Sequence, residues 1–428
     1  MARSIKKPKK AKKKTKGSNN SEASSSSMPP ARVWQPGVDT VGEDEELQWD
    51  PSAYNSYHAF HMGWPCLSFD IIQDTLGLVR TEFPHTIYVV AGTQADKPSL
   101  NSIEIFKLSN ISGKKRDCAG WLIKDALIEF DPCHKVPTFV QLGGIQVWDF
   151  STHLNFLAES TNTSRGGTSV ANQAPLSMFR HKDEGYAMDW SPLEPGKLVT
   201  GDCQNSIYLW EPASGTKWNV DKNPFVGHTG SVEDLQWSPG EDCVFASASV
   251  DKTIAIWDTR LGKSPAMSFK AHDADVNVIS WNRLQSYMLA SGSDDGSFSI
   301  FNLKMIKDGE PMLAHFTHHK HPITSIEWSP HEDSVLAVSS ADHQLTIWDL
   351  ALERDEEEEA EFKSQIDDKV DAPEELPPQL LFVHQGQKDL KELHWHAQIP
   401  GMIISTAADG FNVLMPSNVE RSLPANGA

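Results

Sequence analysis

The stretch "GHTGSVEDLQWSPGEDCVFASASVDKTIAIWD" (Gly227–Asp258) decides the fold, because it does not stand alone. "AHDADVNVISWN" and then "MLASGSDDGSFSIFN" (Ala271–Asn302) repeat it, and so do "KHPITSIEWSP" and "VLAVSSADHQLTIWD" (Lys320–Asp349). A fourth copy runs from "RHKDEGYAMDWSP" to "LVTGDCQNSIYLWE" (Arg180–Glu211). Weaker copies end at "SIEIFKL", "GIQVWDF" and "DGFNVLMP". The closing aromatic positions or their equivalents are Phe106, Trp148, Trp210, Trp257, Phe301, Trp348 and Met415, in steps of 42, 62, 47, 44, 47 and 67 residues. A basic period of 42–47 residues is that of one four-stranded β-unit per repeat.

That period and its Trp-Asp endings match the WD-repeat propeller. The expectation is an all-β, seven-bladed WD-repeat β-propeller over 64–420, with the N-terminal part of the chain giving a strand to the last blade. Seven blades close a ring and remove free sheet edges. The signature has a physical reading. His228, a serine on the next strand (Ser247 or Ser249), Asp251 and Trp257 can form one buried hydrogen-bonded chain that fixes register when every member is satisfied. The set recurs as His272–Asp295 with Phe301, and as His321–Asp342–Trp348. Recurrence at the blade period makes these histidines scaffold and not catalytic groups.

Two steps are about 20 residues too long. They place insertions at roughly 153–177, polar and flexible in composition, and at 352–378, read as a loop between blades six and seven. The second contains "ERDEEEEAEFKSQIDDK" (Glu353–Lys369). From Glu353 to Glu375 there are twelve acids and three bases, a net of −9. The opposite sign gathers at the N-terminus: Arg3 and the lysines at 6, 7, 9, 10, 12, 13, 14 and 16 give nine bases and no acid in residues 1–16. With a net charge of −20 overall, the other 412 residues carry −29. Charged partners of both signs follow. Residues 1–45 lack the apolar side chains that offset ordering entropy and are expected to be a disordered tail, as is 421–428. Lys6, Lys7, Lys9, Lys10, Lys12, Lys13, Lys14 and Lys16 read as a nuclear or nucleolar import signal.

Between tail and ring lies "EELQWDPSAYNSYHAFHMGWPCLSFDII" (Glu45–Ile72). Tyr54, Tyr57, His58 and His61 fall at helical spacing. Pro51 suits a first turn and Asp50 a cap, so a helix is expected over about 51–62 within an N-terminal segment 46–63.

The segment ending in "WPCLSF", taken with "PEELPPQLLFVHQGQKDLKELHWH" (Pro373–His396), resembles the histone-binding WD-repeat proteins of the retinoblastoma-associated and chromatin-assembly-factor group. The basic N-terminus and the "DEEEEAEF" belt bring it nearer to one branch, the glutamate-rich WD-repeat proteins, with a yeast relative in ribosome assembly. The resemblance implies a side groove that holds a basic amphipathic helix. Its walls here would be Leu47, Tyr54 and Tyr57 on one side and Pro377, Pro378 and Leu380 on the other. Asp355, Glu356, Glu357, Glu358, Glu359, Asp367 and Asp368 would supply the charge. The implied partners are core histones and a basic ribosomal protein of the large subunit, in nucleus and nucleolus.

"IAIWDTR" supports a different function. Trp257, Asp258 and Arg260 resemble the WDxR box by which WD-repeat substrate receptors meet the adaptor of cullin ubiquitin ligases. The box occurs once, since "WDFS", "WEPA" and "WDLA" lack the arginine. The bland alternative is a surface arginine paired with a nearby acid. "HHKH" (His318–His321) hints only weakly at metal, because the repeat already claims His321. No phosphate loop, nucleophile elbow or zinc-protease motif is present, and no catalytic residue, cofactor or metal is expected. Five cysteines without a CxxC fit small core residues in a reducing compartment. No apolar run approaches a membrane span.

Overall fold

The computed structural model describes residues 46–97, 100–113, 144–159, 173–214, 217–353 and 376–419, with strand fragments at 3–6, 115–117, 120–122, 129–130, 134–137 and 169–170. Arg3–Lys6 pairs with Glu46–Trp49. The rest of the tails, the lysines from 7 to 16 and the acids from 355 to 375 lie outside the described residues.

The chain is an all-β propeller of seven blades. Blade one is built on Cys66–Ile72, His85–Thr93 and Ser102–Ile111, and blade two, among the described residues, on Gly144–Val147 paired with Ser177–Arg180. Blade three begins at Met188–Trp190. Blades four, five and six begin at Val232–Trp237, Val276–Trp281 and Ile323–Trp328, each a four-stranded antiparallel sheet. In blade seven the strands Leu390–Trp395, Ile403–Ala407 and Gly410–Pro416 are joined by Tyr54–Phe60. The second strands Val244–Ser249 and Val335–Ser340 are buried throughout, as strands covered on both faces must be.

Apolar clusters sit between neighbouring blades and run round the ring. Trp237, Phe245 and Trp257 of blade four pack on Val199, Ile207 and Leu209 of blade three. The circle closes where Phe69, Val89 and Phe106 of blade one meet Ile404, Phe411 and Val413 of blade seven. Each such side chain, fully buried, contributes roughly 1.5–3 kcal/mol.

Four expectations change. The helix over 51–62 is a single 3₁₀ turn, Pro51–Ala53, followed by the strand Tyr54–Phe60. Asp50 does cap, accepting from Ser52 N at 2.7 Å. Beyond it, Tyr54, Ser56 and His58 are buried in alternation, and the open edge of Gly410–Pro416 takes the segment in register from Tyr54 opposite Pro416 to Phe60 opposite Phe411. Satisfying that edge outweighs helical spacing. The 352–378 insertion lies inside blade six, between Gln344–Asp349 and the outer strand Leu380–Gln385, because the sequence repeat ends one strand before the blade does. The 153–177 insertion opens with an α-helix, Ser151–Glu159, whose Leu157 is buried against Tyr88 and Ile105. Finally, Leu414 and not Met415 stands opposite Ile403, where Trp257 stands opposite Phe245 in blade four.

Candidate functional site

The histidines of the repeat are structural. In blade four His228 Nε2 bonds Ser247 Oγ at 2.6 Å, and Trp257 Nε1 donates to the same oxygen at 2.8 Å. His228 Nδ1 lies 3.0 Å from Asp251 Oδ2, so Ser247 and not Ser249 completes the chain. Burial holds the His228 pKa below its usual value. Blade three repeats the scheme with His181, Thr200 and Trp210, the two bonds to Thr200 Oγ1 being 2.9 Å each. In blade five His272 reaches Ser291 and Ser297, and Asp295 accepts from the Ser297 backbone instead of from the histidine. In blade six the working histidine is His319, bonded to Asp342 at 2.9 Å and to Thr346 at 2.9 Å, while His321 is exposed. The correction from His321 has a simple cause. His228 and His272 precede their inner strand by four residues, and so does His319, whereas His321 precedes it by two.

The inner strands add a second device. Asp189 accepts from Trp237 N at 2.7 Å, Asp234 from Ile279 N at 2.8 Å, Glu327 from Trp395 N at 3.0 Å and Glu392 from Phe69 N at 2.7 Å. Each carboxylate thus latches onto the backbone of the following blade, and Glu392 does so across the closure. Burial pushes Asp189 and Asp234 each up to about 7. His394 stands between Glu327 at 3.1 Å and Glu392 at 3.5 Å. Burial opposes its charge, but the two glutamates outweigh it and raise the pKa well above the ordinary range. These groups hold blades together, and none is paired as nucleophile and base.

The groove expected around Tyr54 is not assembled there. Tyr54 is 3% exposed and belongs to the core between blades six and seven. Its ring packs edge-on to Phe382 with centroids 5.3 Å apart, and its hydroxyl lies 2.7 Å from His384 Nδ1. Asn412 Nδ2 lies 2.9 Å from His384 Nε2. With that amide donating, the ring proton sits on Nδ1 and is given to the phenol oxygen. Tyr57, half-buried, packs beside them. His384 and Asn412 escaped the sequence reading, because the partner that explains them lies some 330 residues away in the chain. The Leu47 side chain falls outside the described residues. Pro377 and Pro378 enter a turn where Leu380 N meets Pro377 O at 3.0 Å, with Pro378 exposed. Asp349 N to Gln379 O at 2.8 Å and Gln379 Nε2 to Leu352 O at 3.1 Å bring together the two ends of the acidic stretch.

On the far side of the ring, Trp257 is buried and Arg260 is exposed. The guanidinium grips Asp258 through two bonds, Nε to Oδ1 at 2.9 Å and Nη2 to Oδ2 at 2.8 Å. Arg260 lowers the Asp258 pKa in return. Leu261 beside it is 72% exposed. The box therefore presents a positioned cation and an apolar side chain at one turn.

The metal hint also resolves. His319 is consumed by its relay, and His318 packs on Trp348 with centroids 5.5 Å apart. Among the described residues Glu194, Asp242 and Cys243 come within ligand range of one another, but the Lys197 ammonium lies 3.1 Å from Glu194 and supplies the positive charge there.

Ring, relay and latches define a WD-repeat propeller of the scaffold type. Comparison with known proteins sharpens this. Residues 44–112 match the family described as histone-binding protein RBBP4 or a CAF1-complex subunit, and 220–258, 263–302 and 310–349 match the WD domain, G-beta repeat. The chain is 59% identical to Protein HEAT STRESS TOLERANT DWD 1 of Arabidopsis thaliana, over 94% of this chain and 95% of the relative. It is 42% identical to glutamate-rich WD repeat-containing protein 1 of Dictyostelium discoideum, over 91% and 86%. Identity to ribosome assembly protein rrb1 of Schizosaccharomyces pombe is 39%, over 90% and 84%. The chain belongs to the glutamate-rich WD-repeat protein family.

Proposed function

We propose that the protein is a non-enzymatic chaperone that masks a basic client, a core histone or a basic ribosomal protein of the large subunit, in nucleus and nucleolus. One observation carries the reading: the densest negative charge of the chain is spliced into blade six between two hydrogen-bonded strands. Support comes from the match of 44–112 to a histone-binding family and from the ribosome-assembly name of a relative. A Lys- and Arg-rich client aggregates with nucleic acid before assembly. Asp355 to Glu359, with Asp367 and Asp368, cover its charge and yield it to rRNA or DNA, the stronger polyanions. Screening beyond about 8 Å keeps the effect local. The lysines from 6 to 16 serve import. The test replaces Glu356, Glu357, Glu358 and Glu359 with Gln. Weaker binding of purified histones H3–H4, with a flatter salt dependence and an unchanged melting temperature, is expected. Unchanged binding and salt slope reduce the acids to a solubilising role.

A second reading is favoured by Arg260, held outward by Asp258, and by the DWD in the Arabidopsis relative's name. Here the propeller is a substrate receptor that meets a cullin ligase adaptor through Trp257, Asp258 and Arg260. Arg260→Ala is then expected to lose the purified adaptor while keeping H3–H4. No adaptor binding by the unaltered chain removes this reading.

A further inference from the structure

The turn between the first two strands of blade one carries an apolar feature that the repeat does not need. Leu78 is 88% exposed, Leu76 55% and Val79 43%. Single exposed leucines are ordinary on a soluble surface, but three large aliphatics within four residues are not. They adjoin a recess of about 420 Å³ whose wall includes Leu76, Val79, Pro84 and His85.

The turn is prevented from folding inward. Gln398, from the corresponding turn of blade seven, accepts from Asp74 N at 3.0 Å and donates to Asp74 O at 2.9 Å and Gly77 O at 2.8 Å. Its backbone carbonyl takes Arg80 N at 2.8 Å. Arg80 is spent internally, on Asp74 at 2.8 Å and on the Thr86 carbonyl at 2.8 Å. Gly77 turns the chain at φ +142°, a conformation other residues rarely adopt. A loop fixed by this many bonds loses little conformational entropy when something binds it.

The surrounding charge is negative. The blade-six turn joins the blade-seven turn through His331 Nε2 donating to Ala397 O at 3.0 Å, so the turns of blades six, seven and one are continuous. Between them blades six and one bring Asp74, Glu82, Glu332 and Asp333 against Arg80, four acids to one base. Glu82 lines the recess, is exposed, and has no partner among the described residues.

We propose that this recess is a docking site for a basic amphipathic segment of a second protein, which sets a bulky aliphatic side chain against Leu76, Val79 and Pro84 and a lysine or arginine against Glu82. The occupant shares its chemistry with the client proposed above and rests on that reading, but its seat is blade one and not the acidic stretch. Two labelled peptides of identical leucine and lysine composition probe the full chain, one with leucines patterned along one helical face and the other scrambled. The patterned peptide is expected to bind more tightly. Leu78→Ser should cost it about five- to tenfold in affinity, the worth of one exposed aliphatic contact, and leave the scrambled peptide unchanged. Glu82→Lys should weaken the patterned peptide and reduce its salt dependence. Leu261→Ser, at the same end of the ring but across it, should change nothing. Retained preference for the patterned peptide in both Leu78→Ser and Glu82→Lys overturns the site, as does an equal loss in Leu261→Ser. Release of the peptide only by glutamine at 356–359 also overturns it, while sustaining the masking function. The converse, a loss in Leu78→Ser with no effect of the glutamines, keeps the recess and removes the masking. Melting temperatures check folding, since Leu78 lies outside the core.

Discussion

Blade four and blade seven do the same job with different materials. Blade four takes all four strands from one run, Val232 to Lys270, and fixes them with His228, Ser247 and Trp257. Blade seven takes its outer strand from the other end of the chain and pins it with Tyr54, His384 and Asn412. The first arrangement is local and spells itself out at a fixed period. The second is a clasp, made only when both ends of the chain have met. A defect in blade four should loosen one unit of the ring, whereas a defect in the clasp should open the ring itself.

Four substitutions test that contrast, from the largest effect to the smallest. Tyr54→Ala removes a buried aromatic from the clasp and should cost about 3–5 kcal/mol, read as a lower denaturant midpoint and early exposure of 54–60 in hydrogen exchange. A loss no greater than that of an exposed residue would end the clasp idea. Ser247→Ala strands the His228 and Trp257 donors inside blade four, at about 1–3 kcal/mol, with exchange rising mainly in 232–270. Tyr54→Phe keeps the ring and loses only the bond to His384, about 1 kcal/mol. Exchange in it should rise on both sides of the blade six and seven junction, unlike that of Ser247→Ala. Arg260→Ala should shift stability by less than about 0.5 kcal/mol, because the pair with Asp258 is solvent-exposed.

Titration separates a third set of contacts from both. The folded pKa of Asp189, about 7, lies above its ordinary 3.8, so the folded ring holds this proton more tightly than the unfolded chain. Its ionisation therefore erodes stability as pH rises from about 4 to about 7. Asp189→Asn keeps an acceptor for Trp237 N and removes the charge. Its melting temperature relative to the unaltered chain should rise by about 1–3 °C between pH 5 and pH 8. The same difference at both values would show that the carboxyl is not strained. His272 has the opposite sign. Burial lowers its pKa to about 4, so stability is lost as pH falls from 6.5 towards 4.

The contrast also explains what was legible. The propeller was readable because strands, turns and relay residues recur with the period of blade four. Even the choice of His319 over His321 was present, as a four-residue offset to the inner strand. Tyr54–Phe60 was not readable as a strand. Its tyrosines and histidines satisfy helical spacing, and only the vacant edge of Gly410–Pro416, far along the chain, decides the matter. The same holds for Tyr54 as a groove wall: its burial depends on Phe382 and His384, whose distance in sequence hides the contact. The blade-one recess was invisible for a related reason, since "TLGLVRTE" looks like an apolar run until Gln398 holds it outward. Arg260, whose neighbours lie within two residues, was found where the box placed it.

The splice in blade six has a consequence for how this chain can vary. Its two ends are pinned by Asp349, Leu352 and Gln379, so the sheet senses where the insertion leaves and returns and not how many residues lie between. Closing a flexible segment costs free energy only as the logarithm of its length, about 0.6 kcal/mol for each doubling. The acidic stretch is thus an adjustable tether. Lineages or engineers can lengthen it, shorten it or rewrite its charge density to suit a more or less basic cargo, while the seven-bladed frame around it stays unchanged.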